Sequence, residues 1–174
     1  MKNKIPIILL ALTLLAHGAL YASPSDNLEH QVKSAFVYRL IRYVEWKSPA
    51  TAPITIGVIG NGSITPYLQK IEGKQINGQQ VKVITASNIE KLKSVRVLFI
   101  NSMNDKRVKE ILKYIKGKNT LTISDMDGFC DLGGNIGLIT TDGKVHLQVN
   151  LKTSREAGLR ISSKILRFAE LIFD

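Results

Sequence analysis

The sequence predicts an α/β fold: a three-layer α/β/α sandwich with a mostly parallel sheet and a C-terminal antiparallel hairpin. Three observations carry this expectation. Between residues 28 and 124, short β-branched runs alternate with segments of helical spacing, the order that builds parallel sheets covered by helices. Asp142-Gly143 then joins two strand-like runs, the strongest short hairpin signal. Hydrophobic residues make up 44% of the 174 positions, ample for the core of one domain.

Residues 1–22 differ from the rest. Lys2 and Lys4 form a basic start, an apolar run extends from Ile5 to about Leu15, and Ala19 and Ala22 lie near its end. This is the layout of a secretory signal peptide. Cleavage after Ala22 would leave residues 23–174 as one exported domain, although Leu20 is bulky for its place before the cut. An uncleaved anchor is the alternative, but Pro6, His17 and Gly18 shorten the apolar run below the roughly 20 residues a spanning helix needs.

From Leu28 to Trp46, Val32, Phe36, Leu40 and Tyr43 or Val44 fall on one helical stripe, with Ser48-Pro49 as the stop. ITIGVIG (54–60) reads as a buried strand, and 63–73 as a short helix closed by Gly73. Asn77-Gly78 marks a turn before a strand at 81–85. Ser87 is expected to cap a short helical turn. VRVLFIN (95–101) is a strand. An amphipathic helix over 104–117 turns Val108, Ile111, Leu112 and Ile115 inward and ends at Gly117. TLTIS (120–124) is the next strand. In the hairpin, Val145, Leu147 and Val149 alternate with His146, Gln148 and Asn150, predicting one buried and one wet face. Ile161, Ile165, Phe168, Ala169 and Ile172 form an apolar stripe assigned to a last helix.

The formal charge is +10; losing Lys2 and Lys4 with the leader lowers it to +8. So basic a domain favours acidic partners or anionic surfaces, or simply carries a solvated basic surface. The basic residues are dispersed, and an exported protein rarely meets nucleic acid, so no nucleic-acid partner is expected. Cys130 is the only cysteine, so it has no internal disulfide partner, and its neighbours Phe129 and Leu132 favour a buried thiol.

Catalytic and ligand motifs fail on named missing parts. Gly60-Asn61-Gly62 follows a strand, but Thr65 stands where a dinucleotide motif needs its third glycine, and Ala86 and Ser87 where it needs an acid. DMDGFCDLGGNIGL (125–138) begins with calcium-loop spacing at Asp125 and Asp127, yet Phe129 and Ile136 occupy later ligand positions. Its glycines lead into a strand, so no helix N-terminus waits for a phosphate. Zinc needs three or four ligands, and after the leader only His30, His146 and Cys130 are at hand besides carboxylates. Neither histidine sits in a nucleophile signature. No metal, cofactor or enzymatic activity is therefore expected. The glycines read as devices for positive φ or close chain approach, and Asp125, Gly133, Gly134 and Asn135 remain a candidate ligand loop.

The motifs in order resemble the YfiR-like family of exported bacterial proteins. VKSAFVYRLIRYVEW carries its Phe-hydrophobic-Tyr and Val-Glu-Trp marks at Phe36, Tyr38, Val44, Glu45 and Trp46. ITIGVIG, GKQINGQQVKV and VRVLFI follow, then LTISDMDGFCDLGGNIGL, then Asn150-Leu151 and AGLRISSKILRFA. The likeness spans residues 32 to about 169. It implies a non-enzymatic, dimeric periplasmic regulator that binds the sensor domain of an inner-membrane diguanylate cyclase and holds that enzyme inactive, so that release raises cyclic di-GMP and promotes biofilm. Some relatives pair several cysteines, which the lone Cys130 does not allow within this chain.

His146, Gln148, Asn150, Arg155 and Arg160 form the expected partner surface; the competing role for Asn150 and Arg160 is to seat the last helix. The alternative function is a small-ligand receptor that binds at the carboxyl ends of the parallel strands, with Gly60–Ser63 and Asn101–Asn104 lining the crevice. A hydrolase comes last, because no base–nucleophile pair can be named.

Overall fold

The computed structural model describes residues 24–47 and 53–174. The leader at 1–22 and the Ser48-Pro49 stop lie outside them. The chain runs through α1 (Pro24–Ile41), β1 (Val44–Trp46), β2 (Ile54–Ile59), α2 (Thr65–Gln69), β3 (Gln75–Ile76) and β4 (Gln79–Ala86). A 3-10 turn at Ile89–Leu92 leads to β5 (Val97–Ile100), α3 (Asp105–Ile115), β6 (Leu121–Ser124) and the hairpin β7 (Ile136–Thr141) and β8 (Lys144–Asn150). Then come α4 (Leu151–Glu156), β9 (Leu159–Ile161), α5 (Ser163–Leu166) and β10 (Ala169–Phe173).

Eight strands form the main sheet in the order β10-β8-β7-β6-β5-β2-β4-β3. Pairing is parallel from β4 through β2, β5 and β6 to β7, and again between β8 and β10; only β7/β8 and β3/β4 are antiparallel. Strands β5 and β6 are buried at every position, as strands covered on both faces must be. Alternate side chains feed two cores. Val97, Phe99, Leu121 and Ile123 pack with Val37, Leu40 and Ile41 of α1 and with Leu68 of α2. Leu98 and Ile100 pack on the other face with Val108, Ile111 and Ile115 of α3 and with Leu92. The predicted three-layer α/β sandwich is the fold observed.

The hairpin turn has φ 52° at Asp142 and 71° at Gly143, the left-handed pair that a two-residue turn matching strand twist requires. Asn77-Gly78 makes the same kind of turn between β3 and β4.

Four local expectations need correction. The first helix stops at Ile41, and Val44–Trp46 is instead a strand paired antiparallel with β9, Val44 opposite Ile161 and Trp46 opposite Leu159. The apolar spacing there suits either element, and a pairing partner 115 residues away decided between them. The short turn is capped by Asn88, whose side chain accepts from the Glu90 N–H, rather than by Ser87. The last helix is cut short: only Ser163–Leu166 is helical, Leu159–Ile161 before it is a strand paired with β1, and Ala169–Phe173 after it fills the free edge of β8 as a parallel strand. Phe168 of the supposed stripe is 74% exposed. Finally, Val145, Leu147 and Val149 do face the first core, but the opposite face is not wet. His146 and Gln148 are half-buried and Asn150 is buried, because the chain after β6 folds over them.

Candidate functional site

The loop 125–135 is a packed double turn. The Phe129 N–H donates to the Met126 carbonyl, Leu132 to Gly128, Gly133 to Cys130 and Gly134 to Phe129, all at 3.0 to 3.2 Å. Its base is held by the Ser124 hydroxyl, which donates to the Ile100 carbonyl at 2.6 Å and accepts from the Met126 N–H. Satisfying these backbone groups internally lets the loop bury Phe129 and Cys130.

Each candidate ligand residue in this loop has a structural partner. Asp125 lies 3.5 Å from the Lys33 ammonium, which also meets Glu29 at 2.6 Å. Glu29 accepts in addition from the Thr140 hydroxyl at 2.8 Å. This cluster, built on the buried Lys33 with half-buried carboxylates around it, ties α1 to the loop and to β7. Gly133 has φ 100°. Gly134 lies so close to the Phe129 ring that a Cβ there would overlap it. Asn135 clamps β6 and α4 to its own loop: its Oδ1 accepts from the Thr122 N–H and hydroxyl, both at 2.9 Å, and its Nδ2 donates to the Thr153 hydroxyl at 3.2 Å.

Cys130 is 1% exposed. Burial pushes its thiol up to about 12; the Gly137 and Asn150 N–H groups favour the thiolate and offset only part of this. Below pH 9 the thiol is neutral in both folded and unfolded chains, so it costs nothing. Between pH 9 and about 12 only the unfolded chain releases the proton, so stability falls as pH rises through that window. We expect a disulfide reagent to label Cys130 slowly at pH 8 in buffer and rapidly in urea. Cys130→Ala should remove part of the alkaline loss of stability. Fast labelling of the folded protein would contradict the buried thiol.

The residues expected to meet a partner divide into two groups. On β8, His146 Nδ1 pairs with Glu170 of β10 at 2.6 Å, and Gln148 packs over Gly137. Asn150 caps α4, accepting from the Thr153 N–H and donating to the Cys130 carbonyl, both at 2.9 Å. Its competing role, seating a helix, is thus real for α4. On the other group's surface, Arg160 bonds Glu45 through its Nε at 2.8 Å, and Arg155 pairs with Asp174. Leu159 and Ile161 point into the first core, so Arg160 between them points outward. Arg155 and Arg160 share an open cleft of about 420 Å³ with Glu45, Trp46, Lys47 and Leu159. Sequence reasoning missed Glu45 and Trp46 as site residues because it placed them in a helix; their pairing with β9 is what brings them to the arginines.

At the carboxyl ends of the parallel strands, the Asn101 carboxamide donates to the Ile59 and Gly60 carbonyls. A Cβ on Gly62 would lie 2.0 Å from Asn101 Oδ1. Asn101 and Met103 therefore fill the gap between the β2 and β5 ends. The open space lies one strand over, about 590 Å³ between Gly60–Gly62 and Thr85–Ser87. No cluster of three or more His, Cys, Asp or Glu that could hold a metal exists among the described residues, and none of their helices is long and apolar enough to cross a membrane.

The protein is an α/β sandwich whose polar loops are engaged in internal bonds and whose cleft at Trp46, Arg155 and Arg160 is open to solvent. The chain belongs to the YfiR/HmsC-like family, whose model matches residues 30–170; this is a regulatory, non-catalytic family of the periplasm. No curated protein matches the chain by sequence. Two solved structures share the fold. A conserved domain protein from Vibrio cholerae O1 biovar El Tor is 11% identical with a TM-score of 0.55, over 82% of this chain and 60% of that one. The ABC domain in complex with L-Trp from Streptococcus pneumoniae is 11% identical with a TM-score of 0.54, over 83% of this chain and 60% of that one. The chain thus spans about three-fifths of the length of these structures.

Proposed function

We propose that this protein is a periplasmic regulator that binds the sensor domain of an inner-membrane diguanylate cyclase and holds the enzyme inactive. The observation that carries the reading is the family match across residues 30–170. The cleft of Trp46, Arg155 and Arg160 supports it: an aromatic flanked by arginines is the composition of interface hot spots. The basic surface suits an acidic partner patch. Glu45 tempers Arg160 and holds its guanidinium in one place, so a partner carboxylate would meet an oriented fork.

Deleting the gene should raise cyclic di-GMP several-fold and increase biofilm. Complementation with the wild type should reverse both, and with Arg160→Glu should not. An unchanged cyclic di-GMP level in the deletion strain would remove the cyclase from the proposal. Full complementation by Arg160→Glu would remove the cleft.

A further inference from the structure

A second opening lies on the far side of α4, between that helix and the C-terminal half of α3. It holds about 270 Å³, near the lower end of the roughly 300 to 1,000 Å³ typical of ligand sites. Its walls are the apolar Leu112, Ile115, Leu132 and Ala157. Its floor is Thr120, Thr122, Asn135 and Thr153, and the first three are buried.

The floor is rigid and already satisfied. The Thr122 hydroxyl donates to Asn135 Oδ1 and accepts from the Asn135 N–H at 2.9 Å. The Thr153 hydroxyl donates to the Gly134 carbonyl at 3.2 Å, and the Thr120 hydroxyl to the Val95 carbonyl at 3.0 Å. An apolar group can settle over this floor without stranding a buried donor, which would otherwise cost about 1 to 3 kcal/mol.

The rim is net cationic: Lys109, Lys113 and Lys116 line it together with the carboxylate of Glu156. Lys106, Lys109, Lys113 and Lys116 recur at three- and four-residue spacing along and just past α3, which places them on one stripe. Lys116 meets Glu156 at 3.4 Å. Lys109 and Lys113, which line the opening, have no carboxylate partner among the described residues.

We propose that this groove binds a small organic anion with an apolar body, of the size of a single-ring carboxylate or phosphate ester. The apolar body lies against Leu112, Leu132 and Ala157, and the anionic group meets Lys109 and Lys113. Walls without cations would take a neutral hydrophobe, and lysines without walls would take any anion; the combination selects an amphipathic one. The site stands whether or not the protein represses a cyclase.

The test is an amide NMR titration of the purified protein with phenyl phosphate, inorganic phosphate and benzyl alcohol. Phenyl phosphate should shift Thr120, Thr122, Gly133, Asn135 and Ala157 in a saturable way. Each of the other two probes should bind at least about tenfold more weakly, a difference of about 1.4 kcal/mol. Lys109→Ala with Lys113→Ala, both exposed and so compatible with folding, should weaken phenyl phosphate by a similar factor. Lys91→Ala with Lys93→Ala, on another part of the surface, should not. Inorganic phosphate as tight as phenyl phosphate would mean a general basic surface and overturn the proposal. So would benzyl alcohol as tight, or no saturable shift in the groove at millimolar phenyl phosphate.

Discussion

Gly134→Ala is expected to destabilise the fold by about 3 kcal/mol, the upper part of the usual range for overpacking a core. A Cβ at this position would lie 2.1, 2.3 and 2.5 Å from three atoms of the Phe129 ring. Real carbon contacts lie nearer 3.5 to 4.0 Å. The ring has nowhere to go: Phe129 is fully buried among Val108, Ile111 and Leu98, and the Gly134 N–H is bonded to the Phe129 carbonyl at 3.0 Å. Either α3 moves outward or the loop opens, and both expose core. Urea denaturation measures the loss. The cause can be separated from any generic effect of alanine with Phe129→Leu, which removes the ring. In that background the added cost of Gly134→Ala should fall by more than half. Equal costs in both backgrounds would show that the ring contact is not the reason for glycine.

Lys33→Met is expected to cost about 3 kcal/mol at pH 7, the low end of what breaking a buried ion pair costs, because Glu29 and Asp125 retain some contact with water. Methionine keeps most of the packing volume, so the loss comes from the two carboxylates left without their cation. The Lys33 hydrogen bond is the largest influence holding the Glu29 carboxyl below its ordinary value, and the Thr140 hydroxyl adds to it. A carboxyl lowered in the folded state stabilises the fold above its unfolded pKa, and that contribution is lost as pH falls through the folded value. The gap between wild type and Lys33→Met should therefore narrow as pH falls below about 4.5, the ordinary value for Glu29. A gap that stays constant from pH 7 to pH 3 would mean the lysine acts through packing alone.

Much of this fold was legible because its signals are local. The strand runs at 54–59, 97–100 and 121–124 are rich in β-branched and apolar residues, and α3 carries a clear inward stripe of Val108, Ile111 and Ile115. Asp142-Gly143 fixed the hairpin by backbone sterics alone. The candidate site was less legible. Arg155 and Arg160 were identified as surface cations, but their cleft also needs Glu45 and Trp46, which reach it through β1/β9 pairing. Strand spacing over three residues is too short to outvote a helical stripe that runs into it. The groove between α3 and α4 left still less trace. Its lysines read as a solvated helix face, and its walls come from α3, the loop 125–135 and α4.

For DMDGFCDLGGNIGL, the sequence by itself spoke against a calcium loop, which lacks ligand residues at fixed spacing, and against a phosphate cradle, since its glycines lead into a strand rather than a helix N-terminus. It also left Cys130 without an internal partner. What each polar group does instead was decided in three dimensions. Asp125 answers a lysine 92 residues earlier, Asn135 joins β6 to α4, and Gly134 is small because a ring from its own loop folds onto it. The physical reason is range. Turn chemistry, helix stripes and motif spacing depend on neighbours a few residues apart, whereas buried pairs and clefts depend on which strand edge remains free once the rest of the sheet has formed. The C-terminal segment is the clearest case: its apolar spacing admits a helix, but the open edge of β8 offers hydrogen bonds to a strand, and that edge decided its form.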